Sequence, residues 1–283
     1  MQLELQSFLS LAVNYKAVFL DSYGVLKNYQ GLIEGVQDTV AFLRDNKIAI
    51  RVLTNDASRS REQQVESFNE IGLNGLQTHE IITSGMMAKH FLQHKIKEGK
   101  VGYLGTENSA YYIQQAGLEY ISISEIDMNR LDDLAAFIFL DDEGFDWNTD
   151  INKTINLLRS KNIPVIVANS DKLYPVSKNE VALAIGGVAR LVESMLGRKF
   201  IHFGKPDTQM FNYAYNRLKG TGSFTKKEIL MVGDNLHTDI LGGNKFGIKT
   251  ALVLSGNTSE SNTAQQIMST GIIPDFICRS IIT

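Results

Sequence analysis

Asp21 is the first residue in the chain placed to do chemistry. The run Lys16-Ala-Val-Phe-Leu-Asp21 leads apolar side chains up to a carboxylate, and Gly24 follows three residues later. A buried parallel strand delivers an acid to the mouth of an open sheet in this way, and ligands bind beyond the carboxyl ends of such strands. Three more apolar runs carry polar residues at their ends. Residues 48–53 end in Thr54-Asn55, residues 200–203 lead into Gly204-Lys205-Pro206, and residues 228–232 end in Gly233-Asp234-Asn-Leu-His-Thr-Asp239. In a parallel sheet these tips can converge on a carboxylate nucleophile, a hydroxyl, a lysine and a second acidic group. Mg²⁺ takes oxygen ligands and usually keeps waters beside one or two carboxylates, and lysine offers a phosphate a point charge. Each piece alone has a plainer reading. Asp and Gly favour turns, Asp is favourable near a helix start, and a single lysine is more often solvated than functional.

Strands alternating with helices must hold these tips. Helical periodicity covers 3–13, 36–45 and 60–72, the last capped by Ser58 or Ser60 and closed by Gly72. Strands fall at 17–21, 48–53 and 81–82, and a helix begins near Met86. The alternation predicts a parallel sheet with right-handed crossovers. The pattern then restarts, with strands at 100–104, 118–121, 135–140 and 163–168 and helices at 106–116 and 149–162. After Gly186-Gly187 come a helix to about Leu196, the strand 200–203 and a helix over 206–219 with Pro206 at its first position. Strand 228–232, helix 236–246, strand 248–254 and a final edge strand at 274–278 complete the chain. The expected class is α/β: a Rossmann-like core with a parallel sheet flanked by helices, residues 1–85 and 186–283, and an inserted α/β domain over 86–185.

Composition narrows the function. Hydrophobic residues make up 43% of the 283, charged ones 21%, and the formal net charge is −3. With no long basic run, a nucleic-acid partner is not implied. No apolar stretch approaches the roughly 20 residues that span a bilayer. The N-terminus lacks a basic leader region. The single cysteine, Cys278, excludes an internal disulfide and a thiolate zinc site, which suits a reducing cytoplasm.

The motifs resemble those of the haloacid dehalogenase-like hydrolases, within them the class IIA group of p-nitrophenyl phosphatase and sugar-phosphatase type. Phe19-Leu-Asp21-Ser-Tyr-Gly-Val-Leu26 looks like the first motif, Leu53-Thr54-Asn55 the second, and Phe203-Gly-Lys205-Pro206 the third. The run from Val232 through Asp234 and Asp239 to Gly243, continuing in Ala251–Gly256, looks like the fourth. Ala168-Asn-Ser-Asp171-Lys-Leu-Tyr174-Pro175 resembles the substrate loop of that group's cap, which makes 86–185 the cap. The resemblance implies that Asp21 attacks phosphorus and forms an aspartyl-phosphate. It implies Mg²⁺ held by Asp21, Asp234 and the backbone carbonyl of Tyr23, with Asp239 supporting the metal or Lys205. Thr54 and Lys205 would bind phosphate oxygens, helped by backbone N–H groups near Gly24 and Asn55. Asn169, Asp171 and Tyr174 would touch the substrate. A small phosphorylated metabolite such as a sugar phosphate is the implied substrate, and caps of this kind often mediate homodimers in relatives.

One position departs from the pattern. Two residues after the nucleophile these phosphatases carry a second Asp, which protonates the leaving oxygen and later deprotonates water. Here it is Tyr23. General acid–base help contributes roughly 10²–10⁴-fold, and a phenol with a pKa near about 10 is a poor base at neutral pH. The sequence therefore points to a weak phosphatase or one with a relocated acid, Asp56 or Asp171 being the candidates. Its alternatives are a phospho-ligand sensor retaining the site and a phosphoryl transferase. Tyr23 reads equally as packing, and Tyr174 equally as cover for apolar surface. His90 and His94 read as a solvated helix face, Asp141-Asp142-Glu143 as a solvated loop, and Cys278 as inert.

Overall fold

In the computed structural model, residues 4–177, 180–220, 222–258 and 260–282 are described. The apolar run before Asp21 forms the strand Ala17–Leu20, buried on both faces as a central parallel strand must be. It pairs in parallel with Ala49–Thr54 on one side and Ile229–Gly233 on the other. The seven-stranded sheet continues outward through Ile81–Thr83 on the first side and through Lys249–Val253, Phe276–Cys278 and Leu5–Gln6 on the second. The chain thus winds one way from Ala17–Leu20 and later returns to its other flank. The strand order reverses between Ala17–Leu20 and Ile229–Gly233, and ligands bind at such a switch point. Val18, Leu20, Ile50, Val52, Leu230, Val232, Ala251 and Val253 build one core with Phe8, Leu43 and Phe68.

This sheet belongs to a unit made of residues up to Thr54, Arg61–Ile82 and everything from Lys205 onward. A second unit holds Asn55–Ser60 and Thr83–Gly204. Its own parallel sheet has the order Ile201–His202, Val165–Val167, Leu134–Phe139, Lys100–Leu104, Tyr120–Ser122. Phe137, Phe139, Leu157, Ile185, Val188, Val192 and Phe200 form its core.

Several sequence expectations give way. The second unit runs on to Gly204 and does not stop at 185: the helix Ile185–Leu196 buries its apolar face in that unit's core, and Ile201–His202 pairs with Val165–Val167. Lys205 therefore does not follow a strand of the large sheet. The stretch expected as a helix over 3–13 opens with a strand, Leu5–Gln6, and is helical only over Phe8–Ala12. Leu5–Gln6 is thus the sheet edge, and Phe276–Cys278 is one strand in from it. Pro206 lies in a turn, and the next helix, Thr208–Lys219, is capped by the Asp207 side chain. The helix expected over 106–116 is regular only over Tyr111–Gln114. Among the described residues, no helix is long and apolar enough to cross a membrane.

Candidate active site

In the first unit, the two strands flanking the switch point end at Asp21 and next to Asp234. The chain after Asp21 turns through Gly24, at φ +77°, a backbone conformation costly for any side chain but glycine's. A Cβ at Gly24 would also overlap Asp234 Oδ2, as would one at Gly256. The two glycines leave room for this buried carboxylate. Its Oδ2 accepts from the backbone N–H and side-chain amide of Asn257, at 2.6 and 2.9 Å. Ser255 Oγ donates to the Gly24 carbonyl at 2.6 Å, tying the 255–258 loop to the first motif. Ser255 and Gly256 close the run that resembles the fourth motif, but no site role was expected of them or of Asn257.

Asp239 returns to this point through a π-helical turn, Leu236–Ile240, opened by the Asn235 side chain accepting from His237 N–H. Lys205 Nζ lies 2.5 Å from Asp21 Oδ1 and 2.8 Å from Asp239 Oδ1. Asp21 Oδ1 also accepts from the Ser22 N–H at 2.7 Å. One oxygen of Asp21 is thereby held, and about 14% of the side chain stays accessible. Among the described residues no hydrogen bond engages Oδ2, so a lone pair is available for attack.

The charges do not balance. Ligand oxygens of Asp21, Asp234 and Asp239 lie within 4.8 Å of one another, and among the described residues the one ammonium ion-paired with the cluster is Lys205, through Asp21 and Asp239. Fully ionised, the cluster carries two excess negative charges in a buried setting, which is costly unless compensated. Burial first, and then Asp239, push the Asp21 carboxyl well above the usual range. The same two causes raise Asp234 to about 7. Burial alone would lower the Lys205 ammonium pKa, but Asp21 and Asp239 outweigh it and raise it. Among the described residues, Asp234 Oδ1 is buried without a hydrogen-bond partner. An all-oxygen donor set, an orphaned carboxylate oxygen and a deficit of two positive charges fit a hard divalent cation.

Thr54, 7% exposed, ends the strand beside Ala17–Leu20. Tyr23, whose carbonyl was the other expected metal ligand, lies in the first unit and forms a β-bridge with Lys27, and the other expected site residues belong to the second unit. Asn55 Nδ2 donates to Asp171 Oδ1 at 2.9 Å, and Asn169 Oδ1 accepts from the Asp171 N–H at 2.8 Å. Tyr174 donates its hydroxyl to Asp142 Oδ2 at 3.0 Å, and burial foremost raises that hydroxyl to about 12. Asp56 is engaged locally by the backbone N–H and hydroxyl of Ser58 and by Arg59, which weakens its case as a relocated acid. The acidic run at 141–143 is a loop with Glu143 exposed, but its first two acids are part-buried and hydrogen-bonded. Asp141 accepts from Thr106 Oγ1 at 2.9 Å and is raised by burial to about 6. His94 Nδ1 contacts the His90 carbonyl oxygen, and the carboxylate trio is the one metal-type cluster among the described residues. Cys278 is buried, which pushes its thiol up to about 11.

The switch point of this doubly wound sheet thus holds a part-exposed aspartate, a buried lysine and two further carboxylates. A model of the haloacid dehalogenase-like hydrolases matches residues 18–119, and an allied HAD-hydrolase-like model matches 202–282. A crystal structure from Cytophaga hutchinsonii, described as a "possible sugar phosphatase" of the HAD superfamily, is 50% identical, with a TM-score of 0.96. That match covers 100% of this chain and 99% of the other. Phosphoglycolate phosphatase 1A of Arabidopsis thaliana is 28% identical over 97% of this chain and 80% of its own. Glycerol phosphate phosphatase of Mycobacterium tuberculosis, in complex with magnesium, is 21% identical with a TM-score of 0.75, and covers 98% and 78%. The chain belongs to the haloacid dehalogenase-like hydrolase family. It is a phosphoric monoester hydrolase of that family.

Proposed function

We propose that the protein hydrolyses a small phosphorylated metabolite, a sugar phosphate or similar ester, with Asp21 as nucleophile and Mg²⁺ as cofactor. The observation that carries this reading is Asp21 itself, one oxygen pinned by Lys205 and Ser22 and the other open. Oδ2 attacks phosphorus, the Oδ2–P bond forms, and the ester P–O bond breaks as the alcohol departs and takes up a proton. Water then attacks the same phosphorus, the Oδ2–P bond breaks, and inorganic phosphate leaves with Asp21 again a carboxylate. Lys205 holds Asp21 in place and supplies positive charge to the phosphoryl oxygens, assisted by the Thr54 hydroxyl and the N–H groups of Gly24 and Asn55. Asp21, Asp234 and the Tyr23 carbonyl would hold Mg²⁺, with Asp239 behind Lys205. Bound there, the ion supplies charge neutralisation for the phosphate and for the carboxylates. The second unit, with Asn169, Asp171 and Tyr174, supplies recognition of the alcohol part. The oxygen donor set and the magnesium complex of a same-fold phosphatase favour Mg²⁺. The relatives' substrates favour small phosphate esters.

The test is hydrolysis of p-nitrophenyl phosphate and a panel of small phosphate esters, with EDTA and then with Mg²⁺ restored. Turnover should vanish in EDTA and return with Mg²⁺, and at least one metabolite should exceed the aryl ester in kcat/KM. EDTA-resistant turnover would remove the metal from the reading.

The metal site also sets a pH dependence. An unfolded aspartate titrates near about 3.9, whereas folded Asp234 titrates near about 7. Between those values the folded chain holds a proton that the unfolded chain has lost, so stability falls as pH rises. In EDTA the urea midpoint should therefore drop from pH 5 to pH 7.5, and the drop should shrink in Asp234→Asn. Mg²⁺ at about 100 times its Kd should restore about 2.7 kcal/mol at the higher pH. A slope that Asp234→Asn leaves intact would refute this assignment.

A further inference from the structure

Arg51 is a charged residue in the middle of the strand Ala49–Thr54, an interior strand of the large sheet, and only 3% of it is exposed. Its neighbours Ile50 and Val52 face the core that Phe8, Leu43 and Phe68 share. Side chains alternate along a strand, so Arg51 points to the opposite face. There the helix Thr208–Lys219 packs against Ala49–Thr54. Arg51 Nη1 donates to the Ile50 carbonyl at 2.7 Å. The other edge of the guanidinium is unused. Among the described residues, Nε is enclosed without a hydrogen-bond partner, and no hydrogen bond engages Nη2. Nε–H and Nη2–H point the same way and form the fork that grips a carboxylate or a phosphate through two oxygens.

The carboxylate whose charge reaches Arg51 is Glu80, and it is committed elsewhere. Its two oxygens accept from Arg44 at 3.2 and 2.8 Å, and Oε2 also accepts from the Gln77 N–H at 2.8 Å. A second guanidinium stands close by. Arg217 is exposed in the last turn of Thr208–Lys219, and its charge also reaches Arg51. Its Nε donates to the Tyr213 hydroxyl at 3.2 Å, with the guanidinium over that ring. Residues 208–227 carry the cations Arg217, Lys219, Lys226 and Lys227 and contain no acid. Burial foremost pushes the Arg51 guanidinium below its ordinary value, Glu80 counters this, and Arg217 adds to it. A buried cation with an empty fork beside a like charge is costly unless an anion joins it.

We propose that Arg51 and Arg217 form a binding site for a small oxyanion, a phosphate or a carboxylate, held on the Nε–Nη2 fork of Arg51. So little of Arg51 reaches the surface that only a small anion can seat there. The anion is not the phosphoryl group undergoing hydrolysis. The helix opens at Asp207, two residues after Lys205, and a rise of about 1.5 Å per residue puts Arg217 about 15 Å further along its axis.

Calorimetric titration with inorganic phosphate, sulfate and acetate, at constant ionic strength in EDTA, tests the site in wild type, Arg51→Met, Arg51→Lys and Arg217→Ala. Wild type should take up one oxyanion per chain. Affinity should fall by about tenfold or more in both Arg51 variants, because lysine keeps the charge but loses the fork, and by a smaller factor in Arg217→Ala. Phosphate and sulfate binding above acetate identifies a phosphate ligand, and acetate above both a carboxylate. At about 100 times its Kd the preferred anion should lower the wild-type unfolding constant in urea by about 100-fold and leave that of Arg51→Met unmoved. If Arg51→Met does not fold, Arg51→Lys and Arg217→Ala read the same loss. A wild type that takes up no oxyanion overturns the proposal, as does uptake that an Arg51 variant retains undiminished.

Discussion

Asp21→Asn is expected to lower turnover of p-nitrophenyl phosphate by about 10⁴-fold or more. The substituted amide keeps the shape of the side chain and a carbonyl oxygen for the Ser22 N–H. It offers phosphorus no anionic oxygen. The loss should not arise from unfolding. Burial and the neighbouring Asp239 disfavour ionised Asp21 in the folded state, so a neutral amide relieves repulsion within the carboxylate cluster. In EDTA the variant's urea midpoint should equal or exceed that of wild type. Acid quenching of wild type during turnover should trap phosphate on the Asp21 peptide, and the variant should trap none. Turnover surviving in Asp21→Asn, or a phosphopeptide elsewhere, would overturn the nucleophile assignment.

What the sequence disclosed and what it hid divide along physical lines. The strands Ala17–Leu20, Ala49–Thr54 and Ile229–Gly233 were legible because central parallel strands are apolar on both faces and stop at polar tips. Asp21, Asp234 and Asp239 followed from those tips. Lys205 was legible as a motif but not in its delivery. The apolar run before it, only a few residues long, could pair with either sheet, and pairing partners distant in sequence leave no local mark. Its partner proved to be Val165–Val167, in the second unit. The two-residue strand Leu5–Gln6 was hidden beneath a helix-like spacing of leucines. The hairpin Leu173–Pro175/Val181–Leu183 has exposed strands with little periodic contrast. The helix Glu260–Thr270 buries only Thr263 and Ile267, too sparse a pattern to detect. Three consecutive acids at 141–143 read as solvated, because the hydroxyls that receive Asp141 and Asp142 lie 35 and 32 residues away. The Asn55–Asp171 contact was hidden for the same reason.

Tyr23→Asp is expected to raise kcat/KM on unactivated alkyl phosphates by about 10²-fold, the lower end of what general acid–base catalysis contributes. Tyr23 follows the nucleophile by two residues, and burial first, then Asp234, push its hydroxyl above the ordinary phenol value. A group that gives up its proton so reluctantly cannot deprotonate water at neutral pH, which leaves hydrolysis of the aspartyl-phosphate without a base at this position. The environment that spoils a phenol suits an acid. A carboxyl at position 23 would feel the same burial and the same Asp234 charge, both of which raise its pKa toward the operating range of a proton shuttle. The gain should be largest for alkyl esters, whose leaving oxygens need a proton. It should be small for p-nitrophenyl phosphate, whose phenolate leaves unaided, unless breakdown of the aspartyl-phosphate limits turnover. Burst kinetics separate the two cases: a wild-type burst of nitrophenolate that disappears in Tyr23→Asp places the missing base in the second step. A variant that gains on neither class of ester, with its fold and metal affinity intact, would show that acid–base work in this protein is done from another residue. Asp171→Asn should then flatten the pH profile of kcat.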